Sequence, residues 1–346
     1  MISKVTIINF KSLRDVKIEL ERFTVFVGPN ASGKSSILQG LNILCRGFEM
    51  PQMQIESALS EAKSRGAKDP VELLCKSGEM WYRYRTRSDS TPSLPPGQWA
   101  GEGRGVRSDI ALNDWKHWKS RQDGKAALPG SVLLRLEASK LVQSFPPPPD
   151  PTVMAPDGTG LHSALASMAL NDPDSWQALQ ADLRKIIPSI RRLRHTKAPN
   201  IQEPVSLLFD TVGADSLPAN QVSEGTLLVL GLLAALHASG RPNLVLLDDL
   251  DRGLHPKAQR ELISLLRGLL ETTPDLQILA TTHSPYMLDC MEPKEVRMTI
   301  LRDDGATVCA ALASHPKFEQ WKDEMTPGEM WSLFGEKWLV EQGATA

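Results

Sequence analysis

The stretch that decides the fold class is Phe23-Thr24-Val25-Phe26-Val27-Gly28-Pro29-Asn30-Ala31-Ser32-Gly33-Lys34-Ser35. Its opening residues form an apolar run that is typical of a buried strand in a parallel sheet. The residues from Gly28 to Ser35 match the pattern G-x-x-x-x-G-K-[ST], which links a strand to a helix around bound phosphate. Apolar residues at positions 37, 38, 41 and 44 then follow at helical spacing. The segment therefore predicts a strand, a phosphate-binding loop and a helix.

The residues of this loop are suited to binding phosphate groups. Its glycines let the backbone curl so that successive N–H groups point at phosphate oxygens, and the helix start adds a favourable dipole. We expect Lys34 to neutralise the β- and γ-phosphates and the Ser35 hydroxyl to ligate Mg²⁺. A chance match in a glycine-containing turn is the alternative. The expected nucleotide contacts are Gly28, Pro29, Asn30, Ala31, Ser32, Gly33, Lys34, Ser35 and Ser36.

A second strand runs from Leu244 to Leu247 and ends in two carboxylates, Asp248 and Asp249. A buried strand that ends in an acid places a magnesium-associated carboxylate beside the phosphate loop, and we assign that role to Asp248. Asp249 should point elsewhere, where it can orient or deprotonate the attacking water. An ordinary strand end with solvated acids is the alternative.

Two further segments carry candidate phosphate contacts. Thr281-Thr282-His283-Ser284-Pro285 ends the next apolar strand, and His283 is placed there to sense the γ-phosphate; a hydrogen-bonded turn histidine is the alternative. Ser223 precedes a long apolar helix and is predicted to cap it, with Thr226 at the third helical position. Capping and phosphate binding are compatible, because both use free N–H groups at a helix start.

Composition narrows the class of protein. The chain has 346 residues, 41% of them hydrophobic, and a net charge of −2, which excludes disordered, collagenous and disulfide-scaffold proteins. The four cysteines, at 45, 75, 290 and 309, have no metal-ligand spacing, so we expect reduced thiols. The most apolar run, residues 227–236, is too short to span a bilayer. We expect a soluble, cytoplasmic protein.

Alternating strands and helices after residue 220 predict an α/β core that is split in the sequence. Four segments follow from this pattern. Residues 1–50 form the N-terminal half of the core, and 51–155 an inserted α+β region with strands and polar loops. Residues 156–200 form a helical lobe, and 201–346 the C-terminal half of the core with a docking helix.

The motifs in this order resemble those of one family. They are the opening Ile7–Leu13, the Walker A loop 28–35, Val222–Leu227, the Walker B strand with Asp251–Pro256, and Thr281–Pro285. The chain resembles ABC-type P-loop ATPases of the RecF/SMC-like branch, close to the overcoming-lysogenisation-defect and abortive-infection ATPases. The resemblance covers about residues 1–48 and 200–300, and residues 160–200 more weakly. It implies an ABC ATPase head with a mixed sheet and a helical signature lobe, and ATP with Mg²⁺ as cofactors.

The resemblance also implies a composite site, in which two heads enclose two nucleotides. Ser223 and Gly225 would then contact the nucleotide of the partner copy, with His283 as the switch histidine and Lys11 near a phosphate. The catalytic group would be Lys34, Asp249 and His283, and the metal ligands Ser35 and Asp248. The family's Q-loop glutamine has no identifiable counterpart in residues 50–155.

The chain departs from the family in two respects. It has Asp248-Asp249-Leu250-Asp251 where the family has Asp-Glu-Pro-Glu. Because Asp249 is one methylene shorter than Glu, we expect slow turnover and a longer-lived closed dimer. Only 63 residues follow His283, without a DxD motif, so we expect no nuclease of the chain's own. We also expect no coiled-coil arm, because long heptad runs are absent.

Three other patterns leave alternatives open. Aromatic and basic residues interleave between 81 and 119, which fits either nucleic-acid binding or an aromatic subdomain core. A basic stretch from Arg184 to Lys197 has an apolar alternation and is a candidate DNA contact. Thr326-Pro327-Gly328-Glu329 predicts a capping box. The helix that it begins should carry Trp331, Phe334 and Trp338 on one face, docked on the core or exposed to a partner.

The leading functional hypothesis is an ATP-dependent switch. A homodimer, or a higher oligomer, closes around MgATP and gates a separate effector, a nuclease or toxin, in bacterial anti-phage defence or a toxin–antitoxin-like system. The first alternative is a RecF-like DNA-binding ATPase in repair or recombination, with DNA as a direct partner. The second is a nucleotide-binding scaffold that hardly hydrolyses, because Asp249 replaces Glu.

Overall fold

The computed structural model describes residues 1–46, 52–64, 66–67, 69–78, 80–85, 98–102, 128–143, 153–196 and 206–343. The strands are β1 (Ile2–Phe10), β2 (Leu13–Glu19), β3 (Phe23–Val27), β4 (Glu72–Ser77), β5 (Met80–Arg85), β6 (Gln98–Glu102), β7 (Ser131–Leu134), β8 (Ile190–His195), β9 (Leu207–Thr211), β10 (Ala214–Pro218), β11 (Leu244–Leu247), β12 (Gln277–Thr281), β13 (Val296–Leu301) and β14 (Thr307–Ala311). The helices are α1 (Lys34–Arg46), α2 (Gln52–Glu61), α3 (Ala138–Leu141), α4 (Leu161–Asn171), α5 (Pro173–Ile186), α6 (Glu224–His237), α7 (Pro256–Thr272), α8 (Pro285–Leu288), α9 (Phe318–Trp321), α10 (Pro327–Phe334) and α11 (Trp338–Gly343).

The chain divides into two compact units. The first comprises Met1–Val132, Asn243–Asp248 and Asp275–Ala346, and the second Leu133–Pro242 and Asp249–Pro274. A six-stranded sheet has the order β14-β13-β3-β12-β11-β7, and its first five strands in that order belong to the first unit. Strands β13, β3, β12 and β11 are parallel, and β14 runs antiparallel to β13. The predicted mixed sheet of an α/β protein is thereby confirmed.

The register of this sheet brings the ends of three strands together. Strands β3, β11 and β12 are buried along their whole length, as continuous apolar runs in a parallel sheet should be. Phe26 lies opposite Thr281, and Leu247 lies opposite Ala280. The residues that follow β3, β11 and β12 therefore meet at one edge of the sheet. Helix α1 packs with Ile37, Leu38, Leu41 and Leu44 buried, as its spacing predicted.

A second sheet of the first unit has the order β2-β1-β4-β5-β6, and all of its pairings are antiparallel. Strands β4 to β6 come from the segment predicted to be an insertion, yet they extend the sheet that β1 and β2 begin. Alternate residues of β4 and β5 are apolar or aromatic and lie in the core, because Leu73, Cys75, Tyr82 and Tyr84 are all buried. Residues 86–97 and 103–127, with Arg87, Trp115, Lys116, Trp118 and Lys119, lie outside the described residues. Nucleic-acid binding by this region stays a prediction.

The second unit consists of helices α3 to α7 and the sheet β10-β9-β8. Helix α5 contacts α4, α6 and α7, and His237 Nε2 of α6 lies 3.0 Å from Asp182 Oδ2 of α5. In β8, Ile190 and Leu193 are buried while Arg191 and Arg192 are exposed. Two basic residues of the predicted stretch are therefore exposed, whereas Arg194 lies 2.6 Å from Asp210 Oδ1, and Lys197 lies outside the described residues. DNA contact by this stretch stays a prediction. Among the described helices, none combines the length and hydropathy needed to cross a bilayer.

The C-terminal helix is capped as predicted but shorter than predicted. Thr326 accepts a hydrogen bond from the Glu329 amide, and the Glu329 side chain accepts one from the Thr326 amide. The prediction that Trp338 continues this helix was wrong. Helix α10 ends at Phe334, because Gly335 has a φ of 58°, and Trp338 begins α11. His315 stacks on Phe334 with ring centroids 4.7 Å apart, so this region packs against its own unit.

Candidate functional site

The loop from Gly28 to Ser35 joins β3 to α1, and its two glycines are required by their neighbours. Gly28 has a φ of 146° and Gly33 a φ of 100°, conformations that only glycine adopts without strain. A Cβ atom on Gly28 would lie 2.1 Å from the Thr299 carbonyl oxygen. One on Gly33 would lie 2.4 Å from Thr307 Oγ1. Glycine is therefore required at both positions for two reasons: the backbone conformation there, and the close approach of strands β13 and β14.

Buried hydroxyl groups hold the loop in place. Thr299 Oγ1 donates to the Val27 carbonyl at 3.0 Å, and Ser32 Oγ lies 2.6 Å from Thr299 Oγ1. Because a hydroxyl has one hydrogen, Ser32 must be the donor to Thr299. Thr307 Oγ1 in turn donates to Ser12 Oγ at 2.8 Å. Sequence analysis missed Thr299 and Thr307, since a single threonine in an apolar strand has no distinguishing pattern.

Lys34 carries a buried positive charge at this loop. Its side chain is buried, with the whole residue only 5% exposed, and its Nζ donates to the carbonyl oxygens of Gly28 and Pro29, each at 2.8 Å. A buried ammonium needs such acceptors, because its desolvation is otherwise costly. The ammonium therefore lies against the residues that are expected to bind phosphate.

The Asp248 carboxylate joins two strand ends to the loop. Ser35 Oγ donates to Asp248 Oδ1 at 2.9 Å, and Thr281 Oγ1 donates to the same oxygen at 2.8 Å. Hydroxyl and carboxylate oxygens are the ligands that Mg²⁺ prefers, so Ser35 and Asp248 fit the metal expected of them. Thr281 was not assigned a role from sequence, although it lies within the predicted motif.

His283 and Lys11 occupy exposed positions of the first unit. His283 follows β12 and is exposed, whereas its neighbours Thr282 and Ser284 are buried. The Ser284 amide donates to Thr282 Oγ1 at 3.1 Å, which fixes the turn that presents His283. Lys11 has a φ of 53°, and its ammonium donates to Gln39 Oε1 of α1. Contacts of His283 and Lys11 with phosphate stay predictions.

Ser223, Gly225 and Asp249 belong to the second unit. Ser223 is exposed and caps α6, accepting a hydrogen bond from the Thr226 amide at 3.3 Å as predicted. A Cβ atom on Gly225 would lie 2.1 Å from the Gly253 carbonyl oxygen, so the start of α6 touches the loop after Asp249. Asp249 is exposed and has a φ of 55°. Such a conformation is strained for a non-glycine residue, and strain of this kind is common at functional sites.

Three curated proteins are among those similar in sequence to this chain. The OLD nuclease of Thermus scotoductus is 22% identical in a match that covers 89% of this chain and 64% of that protein. The DNA replication and repair protein RecF of Acinetobacter baylyi is 23% identical, covering 77% of this chain and 89% of that protein. The Septu protein PtuA of Bacillus thuringiensis is 43% identical over 53 residues, 15% of this chain and 13% of that protein. The chain thus spans less than two thirds of the OLD nuclease.

Solved structures share the fold. A crystal structure of the SmcHead bound to the C-winged helix domain of ScpA has a TM-score of 0.61 at 17% identity, covering 90% of this chain and 97% of that one. An Smc head domain with an extended coiled coil, bound to the C-terminal domain of ScpA derived from Pyrococcus furiosus, has a TM-score of 0.57 at 14% identity, covering 93% of this chain and 99% of that one. The predicted P-loop ATPase head is therefore confirmed as the fold.

A protein-family model matches more than half of the chain. It matches residues 23–289, which include the phosphate loop, the capped helix α6 and the ends of β11 and β12. Together with OLD nuclease and RecF as relatives, this match confirms the resemblance to RecF/SMC-like ABC ATPases near the OLD and abortive-infection proteins. The chain belongs to the family described as AAA domain, putative AbiEii toxin, Type IV TA system.

Proposed function

We propose that this chain binds MgATP at residues 28–36, hydrolyses it slowly, and closes as a head-to-head dimer that gates a separate effector. The observation that carries the proposal is the Asp248 carboxylate, which accepts hydrogen bonds from both Ser35 and Thr281. A strand-end carboxylate beside the loop serine is the arrangement that P-loop NTPases use to hold their metal ion.

Ser35 and Asp248 would hold Mg²⁺, with Thr281 orienting the carboxylate through its hydroxyl. When bound, the metal would neutralise charge on the β- and γ-phosphates. Lys34 would exchange its two carbonyl acceptors for phosphate oxygens, which are stronger acceptors for an ammonium group. The amides of the loop would bind the remaining phosphate oxygens.

Asp249 would orient the attacking water and accept its proton, and His283 would contact the γ-phosphate. Aspartate at this position has a shorter reach than the glutamate of related ATPases, so proton transfer needs a closer approach. This difference supports slow hydrolysis. Asp249 is exposed in a strained turn. Some of the groups that surround it during hydrolysis would therefore have to come from the second chain when the dimer closes.

The dimer proposal rests on the start of α6. Ser223 is exposed at the N-terminus of a helix of 14 residues, where free amides and the helix dipole favour an anion. Ser223 and Gly225 would contact the γ-phosphate of the nucleotide that the partner copy binds. Each polypeptide would then complete its neighbour's site.

Mixing two inactive variants tests this arrangement. Lys34→Ala removes nucleotide binding, and Ser223→Arg blocks the start of α6. A mixture of the two chains should recover about a quarter to a half of wild-type phosphate release, because one composite site per heterodimer is intact. A mixture that stays at the background of the separate variants would contradict the dimer proposal.

The effector proposal rests on the relatives. They include a nuclease, OLD, and a Septu protein, and the family description names a toxin. The effector would be a separate nuclease or toxin in anti-phage defence. Affinity capture of the tagged chain with and without ATP, from cells that carry the neighbouring genes, tests this. An effector should be captured in only one nucleotide state.

A direct DNA-binding role is the second candidate. Similarity to RecF covers 89% of that protein, and Arg191 and Arg192 are exposed on β8. If DNA binds there, duplex DNA should stimulate phosphate release, and stimulation should fall steeply with salt because counterions are released. Arg191→Ala/Arg192→Ala should abolish that stimulation. Phosphate release that is indifferent to DNA would favour the effector switch.

A further inference from the structure

A charged pair lies at the start of α6. Glu224 is the first residue of the helix and follows the capping Ser223 directly. The Arg252 guanidinium lies 2.7 Å from Glu224 Oε1, and the two side chains are 51% and 46% exposed respectively. Both residues belong to the second unit. The proposed function gives neither of them a role.

Glu224 poses an electrostatic problem for that proposed function. An acidic residue in the first turn of a helix interacts favourably with the helix dipole. However, the same carboxylate stands one residue from Ser223, where we place the partner's triphosphate. Like charges at close range repel each other, and the repulsion is strongest where water is excluded. An uncompensated Glu224 would therefore oppose dimer closure around nucleotide.

The backbone keeps Arg252 at this place. Gly253 has a φ of 69°, and its carbonyl oxygen abuts Gly225 so closely that a side chain on Gly225 could not be accommodated. The Arg252 amide donates to the Asp249 carbonyl at 3.1 Å, and Gln259 Nε2 donates to the Leu254 carbonyl at 2.9 Å. The loop is thus tied to the helix start by close packing, and the guanidinium is presented to Glu224.

We propose that Arg252 is a positioning residue that neutralises Glu224, so that the start of α6 can accept the triphosphate bound by a second copy. The proposal rests on the proposed function, because it concerns the same composite site. Exposed ion pairs contribute little to folding stability, so removal of the pair should leave the fold intact. The pair should instead affect the affinity of one chain for a second chain that carries bound nucleotide.

A charge-rescue series tests the proposal. ATP-dependent dimerisation is measured by sedimentation velocity with a slowly hydrolysed ATP analogue, for wild type, Arg252→Ala, Glu224→Gln and the double variant. Arg252→Ala should weaken dimerisation about tenfold, because an unpaired carboxylate then faces the phosphate. The double variant should return to within about threefold of wild type, since both charges are removed. Arg302→Ala, from the comparably exposed Arg302–Asp304 pair, is the matched control and should dimerise as wild type.

Two further measurements separate this role from general damage. Melting temperatures and the affinity of each single chain for a fluorescent ATP analogue should be unchanged throughout the series, because the phosphate loop is untouched. A double variant that dimerises as weakly as Arg252→Ala would overturn the neutralising role, and so would an Arg252→Ala chain that dimerises as wild type. Wild type that stays monomeric with the analogue would overturn the dimer proposal and this inference together. Recovery in the Lys34→Ala and Ser223→Arg mixture, without an effect of Arg252→Ala, would overturn this inference alone.

Discussion

Ser35 Oγ donates a hydrogen bond of 2.9 Å to Asp248 Oδ1, although 213 residues separate the two in the chain. The contact exists because Ser35 is the second residue of α1, which follows β3, and Asp248 directly follows β11, with only β12 between those strands. Thr281, at the end of β12, donates to the same carboxylate oxygen. Three neighbouring segments of one sheet edge therefore converge on one acid.

Asp248→Asn should reduce Mg²⁺-dependent phosphate release by about a hundredfold, because a neutral amide is a poor ligand for a hard cation. The amide oxygen can still accept from Ser35 and Thr281, so the melting temperature should change little. The measurement is phosphate release against magnesium concentration. Thr281→Val is the companion variant and should cost about tenfold, since it removes only the orienting hydroxyl. Asp248→Asn with an unchanged magnesium dependence would exclude Asp248 as a ligand.

Gly33→Ala should destabilise the protein by about 2 kcal/mol or more and abolish nucleotide binding, because the new methyl group would collide with Thr307. Gly213→Ala is the matched control. Gly213 has a φ of 96°, close to the 100° of Gly33, but no atom lies within 4 Å of its Cβ position. The control therefore reports backbone strain without the collision. Thermal unfolding and nucleotide titration of both variants would measure the difference, and equal losses would show that Thr307 is irrelevant.

Asp249→Glu and Asp249→Asn should move phosphate release in opposite directions. Glutamate restores the longer reach and should raise the rate several-fold, whereas asparagine cannot accept a proton and should lower it at least about a hundredfold. Asparagine tolerates the left-handed conformation at this position, so Asp249→Asn should remain folded. It should also prolong the ATP-bound dimer, which sedimentation can detect. Equal background rates in wild type and both variants would leave only the scaffold hypothesis.

The stability of the second unit should depend on pH through His195. Burial, with a smaller contribution from His162, lowers the pKa of His195 from its ordinary 6.5 to about 4. Because the unfolded chain then binds more protons between these values, stability is complete above about pH 6.5 and is lost as pH falls toward 4. We expect about 1 kcal/mol less stability at pH 5 than at pH 7 from this group, discounted for its partial exposure.

Urea unfolding of wild type and His195→Gln at both pH values measures this contribution. Burial also lowers the pKa of His237 and His315, so the variant should keep part of the pH dependence. The difference between the two proteins isolates His195. Identical pH dependence in both would show that His195 protonates as easily in the folded chain as in the unfolded one.

Sequence patterns correctly predicted the secondary structure around the candidate site. Strand β3, the phosphate loop, α1, the cap at Ser223 and the strand end at Asp248 all lie where the motifs put them, because each depends on consecutive residues. The C-terminal helix shows the limit of such reasoning. Its capping box was predicted correctly, but the turn at Gly335 was not, because glycine ends a helix only when its backbone adopts the required conformation.

What the sequence by itself determined is the phosphate-loop pattern, since its glycines, lysine and serine are specified within eight adjoining positions. The tertiary structure alone decided which distant side chains meet that loop. Thr299 and Thr307 are ordinary strand residues in the sequence. Thr281, Glu224 and Arg252 lie within motifs, but no motif indicates which residue each of them contacts. Their partners depend on strand order, register and the packing of a loop on a helix start. These are set by the free energy of the whole fold, and no local pattern encodes them.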